Sequence, residues 1–138
     1  KRQVLVVSVN TEITIATETM LEDALKMAEA NNARLLVVEL NTPGGEVSSV
    51  QQIMNLFEAS KTPICVFVFP VGASAWSGGT YILMASHIAA MASGTTIGSC
   101  QPVLPTGQPV NASKYINEKT AKKPAKTTKD INFKFLLN

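Results

Sequence analysis

A chain of 138 residues that is 46% apolar and only 16% charged has the composition of one folded domain with a buried core, not of a disordered protein. No apolar run reaches the roughly 18–20 residues that a bilayer-spanning helix needs, and the strand-like run beginning at Val4 leaves no room for a signal peptide within these residues. The net charge of +2 is unevenly placed: no acid lies between Glu58 and Glu118, and Lys114, Lys119, Lys122, Lys123, Lys126, Lys129 and Lys134 crowd the last quarter.

Val4–Val9 is a Val-rich run that reads as a strand. Thr19 and Glu22 have capping-box spacing and predict a helix start, with Leu21, Ala24, Leu25 and Ala28 on its apolar face and Asn31-Asn32 ending it. Leu35–Leu40 is continuously apolar, as expected of a strand covered on both faces. The loop Thr42-Pro43-Gly44-Gly45 follows, and Val50, Ile53, Met54 and Phe57 then mark a second helix. Pro63 separates that helix from the strand Ile64–Phe69. A loop of small residues, Val71–Ser77, leads into a helix running to Ser86, and Ile88–Ala92 is a short strand. Gln101–Pro109 holds three prolines and a glycine and reads as irregular, and Lys119–Lys129 is too polar for a buried element.

The β-α-β-α-β-α-β order with short connections predicts an α/β domain with a mainly parallel sheet and right-handed crossovers. Ligands of such sheets gather at the carboxyl ends of the strands. Thr42–Gly45 and Val71–Gly79 both follow strand ends, so both belong at one edge.

Gly72-Ala73-Ser74-Ala75-Trp76-Ser77-Gly78-Gly79 places two serines just before a helix. A nucleophile there gains from the helix dipole and from unpaired backbone N–H groups. The alternative is a tight strand–helix turn without chemistry. Ser77, unlike Ser74, directly precedes the glycine pair. Gly44 and Gly45 offer backbone N–H groups to an oxyanion, although Pro-Gly-Gly is also a common turn. The one histidine, His87, follows Ser77 by ten residues across a helix, a rise of roughly 15 Å against a hydrogen-bond reach of about 3 Å, so it is a poor base. A lysine base is the remaining option and requires desolvation to be neutral. Lys114, between Val110-Asn111-Ala112-Ser113 and Tyr115-Ile116, is the tail lysine with semi-apolar neighbours, and a solvated loop lysine is the competing reading. Cys65 sits in an apolar run as a small core residue, while Cys100 follows a Gly-Ser turn. One histidine and two distant cysteines make no metal site, and no cofactor is indicated. The lysine-rich segment lacks interleaved aromatics and arginines, which argues against nucleic acid.

Three segments, Asn41–Gly45, Gly72–Ile82 and Met91–Pro102, together resemble the NfeD-type membrane serine proteases, also called stomatin operon partner proteins, over roughly residues 4–118. The resemblance implies a Clp-protease/crotonase-like fold and a Ser-Lys dyad of Ser77 and Lys114. It implies oxyanion N–H groups at Gly45 and Gly78. A dimeric or larger assembly and a polypeptide substrate also follow, an apolar stretch of a stomatin-like membrane protein. The domain is then expected on the extracytoplasmic side of a membrane, with any transmembrane part outside this chain. Gly44, Val71, Trp76 and Val103 are expected to line an apolar groove, with Trp76 equally able to pack in the core. The chain departs from the family pattern after Asn117, where an amphipathic helix is missing. Two other readings share the fold. A crotonase-like acyl-CoA enzyme would need carboxylates that residues 59–117 lack. A non-catalytic scaffold would hold a membrane partner in the same groove.

Overall fold

The computed structural model describes residues 3–99. In chain order these form β1 (Val4–Val9), α1 (Ile15–Ala30), β2 (Leu35–Leu40), α2 (Val47–Ala59), β3 (Ile64–Val68), β4 (Ser74–Trp76), α3 (Gly78–Ala85), β5 (Ile88–Met91) and β6 (Thr96–Gly98). A four-stranded sheet runs β1-β2-β3-β5, and all three pairings are parallel. Each crossover moves the same way along the sheet, so right-handed connections stack α1, α2 and α3 on one face. The main core lies there: Leu36, Val38 and Leu40 of β2 and Ile64, Val66 and Val68 of β3 meet Leu21, Ile53, Phe57 and Ile82 of the helices. The opposite face holds a smaller cluster of Val37, Cys65 and Ala90 with Leu35 and Phe67. At β1 that face opens to solvent, with Val4 and Val6 each 52% exposed.

The structure moves the start of the first helix. α1 begins at Ile15, and Thr19 lies inside it with its hydroxyl on the Ile15 carbonyl at 3.1 Å. The N-cap is Thr14, whose extended backbone precedes the first turn and whose N–H donates to the Thr17 hydroxyl at 3.1 Å. Threonine here takes the place of the usual Glu or Gln of a capping box. The other end is as expected from Asn31-Asn32. Asn32 adopts φ 49°, and the N–H groups of Asn32 and Ala33 return to the carbonyls of Glu29 and Ala28, which closes a Schellman motif.

The loop predicted over Val71–Ser77 contains a strand. After Val68 the chain turns at Pro70–Gly72, with the Ala73 N–H on the Pro70 carbonyl at 2.9 Å. It then forms β4, which pairs in parallel with β6 as a second small sheet. An isolated parallel bridge between Thr42 and Ala75 ties this sheet to the extension of β2. β4 spans three residues of low apolar contrast, so its pairing partners rather than its own pattern make it a strand.

Candidate active site

Both glycine-bearing loops lie at the carboxyl edge of the main sheet. Asn41 organises the strand ends: its Nδ2 donates to Asn10 Oδ1 at 2.8 Å, and its Oδ1 accepts the Ser74 N–H at 3.0 Å. Thr42 is buried and binds β4 twice through its backbone, its N–H on the Ser74 carbonyl at 2.7 Å and its carbonyl accepting the Trp76 N–H at 3.0 Å. The Thr42 hydroxyl also accepts the Gly44 N–H at 3.1 Å. On its far side the loop is fastened to Ile13, whose N–H donates to Gly44 and whose carbonyl accepts from Glu46, both at 2.9 Å.

That fastening presses Gly44 onto Ser77. Gly44 has φ +108°, and a Cβ built on it would lie 2.9 Å from Ser77 Cβ, 3.1 Å from the Trp76 carbonyl oxygen and 3.2 Å from the Gly78 nitrogen. Such approach, at a φ that side chains rarely adopt, requires glycine. Gly45 is confined too, because a Cβ there would collide with the Ile13 backbone.

Ser77 is the N-cap of α3, with φ 50° and ψ −117°. This is a sharp strand-to-helix turn in a sparsely populated backbone region, with the serine at its apex. The Ser77 N–H donates to the Gly98 carbonyl at 2.8 Å, and its own carbonyl accepts the Thr80 N–H at 3.0 Å. Gly78 and Gly79 are small because α3 starts in close contact with its neighbours. A Cβ on Gly78 would lie 2.5 Å from Val50 Cγ2, and one on Gly79 would lie 2.6 Å from Thr42 Cγ2. Among the described residues the N–H groups of Gly45 and Gly78 donate to no acceptor, as befits the first turn of a helix for Gly78.

The structure therefore brings Ser77, Gly44, Gly45 and Gly78 together. Ser74 is a rung of β4 rather than part of the turn, paired in register with Thr96. Trp76 is 48% exposed, so it does not pack in the core, and its Nε1 donates to the Thr96 hydroxyl at 3.1 Å. Val71 is 73% exposed and sits before β4, at the other end of that strand from Ser77. Lys114, Val103 and Cys100 lie outside the described residues. His87 is held at the opposite end of the sheet: its Nδ1 accepts the Ile64 N–H, and its own N–H donates to the Ile64 carbonyl, both at 3.0 Å. Cys65 is buried as expected, and burial pushes its thiol up to about 11, which leaves it protonated and unreactive at neutral pH. Among the described residues no cluster of His, Cys, Asp and Glu could hold a metal, and no helix is long and apolar enough to cross a membrane.

Two residues of this framework escaped the sequence reading. The hydroxyls of Thr42 and Thr80 are buried at the junctions of the site. Their one signal was position, immediately before Pro-Gly-Gly and immediately after Gly-Gly.

The family described as NfeD1b, N-terminal domain, matches residues 3–131. A curated relative, the membrane-bound protease PH1510 of Pyrococcus horikoshii, is 41% identical over 104 residues, which are 75% of this chain and 24% of the relative. Two solved structures of the 1510-N membrane-bound stomatin-specific protease are also similar. One, a serine-to-alanine variant, has a TM-score of 0.74 at 38% identity over 80% of this chain and 55% of its own. The other, a lysine-to-alanine variant in complex with a substrate peptide, has a TM-score of 0.75 at 36% identity over 86% of this chain and 54% of its own. The chain thus spans about a quarter of the curated relative and just over half of these structures. The ClpP protease catalytic domain of Plasmodium falciparum, at 20% identity, shares the fold with a TM-score of 0.61 over 67% of this chain and 53% of its own. The chain has the ClpP-like α/β fold and belongs to the NfeD1b N-terminal-domain family.

Proposed function

We propose that this chain is the catalytic domain of a serine endopeptidase in which Ser77 is the nucleophile and Lys114 the general base. The observation that carries the proposal is the strained turn of Ser77, at φ 50°, packed against Gly44 in a loop cluster where the N–H groups of Gly45 and Gly78 have no acceptor among the described residues. In the reaction Ser77 Oγ attacks the scissile carbonyl and passes its proton to the neutral Lys114 amine. The Gly45 and Gly78 N–H groups stabilise the tetrahedral oxyanion. Collapse expels the amine, protonated by Lys114, and leaves an acyl-enzyme that water hydrolyses by the same steps. The distance of His87 from this edge supports a base of another type.

The substrate is an apolar segment of a membrane-associated polypeptide of stomatin type. The names of the 1510-N relatives support this, as do the exposed side chains of Trp76 on β4 and Ile97 on β6. Gly44, Val71, Trp76 and Val103 would line the groove. The protein works as a homodimer or larger assembly on the extracytoplasmic side of a membrane. Exposed Val4 and Val6 on the open sheet face, with Phe69 and Ile88 also exposed, are consistent with self-association. Hydrolysis of aliphatic peptides by the wild-type protein, Ser77→Ala and Ser74→Ala tests the assignment. Loss in Ser77→Ala alone supports it, and loss in Ser74→Ala with activity retained in Ser77→Ala reverses it.

A further inference from the structure

We propose that Thr80 is a positioning residue that locks the strained turn of Ser77, an inference that rests on the protease reading. Thr80 is 6% exposed, and its hydroxyl sits at the last rung of the β4–β6 ladder, where Trp76 and Gly98 are in register. It lies 2.8 Å from the Ala75 carbonyl oxygen, accepts the Gly98 N–H at 3.0 Å and lies 3.1 Å from the Gly98 carbonyl oxygen. That same Gly98 carbonyl accepts the Ser77 N–H at 2.8 Å. One hydroxyl therefore joins the strand before the nucleophile, the helix after it and the strand that anchors its N–H.

The physical need follows from the backbone. A residue at φ 50° and ψ −117° persists only when its surroundings over-determine it. On the Gly44 side the constraint is steric. On the β6 side it is the single Ser77–Gly98 hydrogen bond, and β6 has only three residues to hold its end in place. The Thr80 hydroxyl holds Gly98 by accepting its N–H, and its one proton is shared between the Ala75 and Gly98 carbonyls, the Ala75 contact being the shorter. Without it the end of β6 is free to shift, and the Ser77 hydroxyl loses its aim while substrate contacts elsewhere persist. Thr80 touches no reacting atom in this scheme.

The test compares Thr80→Val, Thr80→Ser and Thr80→Ala with wild type in the full-length protein, below the onset of unfolding. Valine keeps the shape and removes the hydroxyl, and serine keeps the hydroxyl. In Thr80→Val, kcat is expected to fall about ten- to hundredfold, with KM near the wild-type value. The pH–rate profile keeps its inflection because the base is untouched, and only its plateau drops. The rate of fluorophosphonate labelling at Ser77 falls by the same factor, and amide exchange at Ser77 quickens. Thr80→Ser restores all four readouts, and Thr80→Ala matches Thr80→Val should the latter fold poorly. Wild-type kcat and labelling in Thr80→Val overturn the proposal, as does a Thr80→Ser variant as slow as Thr80→Val. A wild-type protein that neither labels at Ser77 nor cleaves peptide instead removes the protease reading on which the proposal rests.

Discussion

Substitution of Gly44 by alanine separates the two demands placed on that glycine. The first is conformational: φ +108° costs a side-chain-bearing residue about 1–2 kcal/mol. The second is steric, because the new Cβ would stand 2.9 Å from Ser77 Cβ where carbon contacts prefer about 3.5–4.0 Å. The two groups must separate by roughly 0.6–1.1 Å, which is overpacking of the kind that costs about 1–3 kcal/mol. Gly72 is the internal control. It also has positive φ, at +86°, but a Cβ there meets nothing within 4 Å. Gly72→Ala is therefore expected to lose only the backbone contribution and to keep its activity. Gly44→Ala is expected to lose the extra steric amount and to displace Ser77 by enough to slow peptide cleavage about a hundredfold. Chemical denaturation gives the stability difference between the two variants, and peptide hydrolysis gives the rate. Equal stabilities with wild-type turnover in Gly44→Ala would refute the placement of this loop against Ser77.

Gly78→Ala should slow turnover because its Cβ would meet Val50 Cγ2 at 2.5 Å. Adding Val50→Ala removes the obstructing methyl, so the double variant should recover activity, a non-additivity read from a double-mutant cycle. His87→Ala should stay active and lose about 1–3 kcal/mol of stability, because the Ile64 N–H loses its acceptor. Lys114→Ala and Lys114→Arg should both be inactive, the latter because arginine stays protonated, and wild-type activity should rise with pH as the lysine becomes neutral. Cys65 carries an alkaline signature. Its thiol ionises near 9.0 when unfolded and near about 11 when buried. The unfolded chain thus releases the proton first, and stability present below pH 9 is lost between pH 9 and 11. The loss is on the order of 2–3 kcal/mol, and it should be absent from the denaturation profile of Cys65→Ala.

The main sheet was legible because each buried strand is a short apolar run and each helix carries its own stripe. The shared edge of the two glycine loops followed from strand order alone. The true start of α1 was hidden because Thr14 and Thr17 form a cap without an acidic residue. β4 and β6 were hidden because each is three residues long and exists through pairing with the other, β4 also with Thr42. Trp76 looked equally suited to core or groove; the structure leaves it half-exposed, with its indole N–H on the Thr96 hydroxyl. The roles of Thr42 and Thr80 depend on carbonyls far away in sequence, which no local spacing reveals. The readings on Lys114 and Val103 lie outside the described residues.

The proposed mechanism requires Ser77 to be an activated nucleophile. Treatment of the wild-type protein with a fluorophosphonate, followed by mass mapping of the adduct, tests it most directly. The expected result is one phosphonylated residue, Ser77, with labelling and peptide cleavage both lost in Ser77→Ala. An adduct on Ser74, or peptide cleavage that survives in Ser77→Ala, would contradict it.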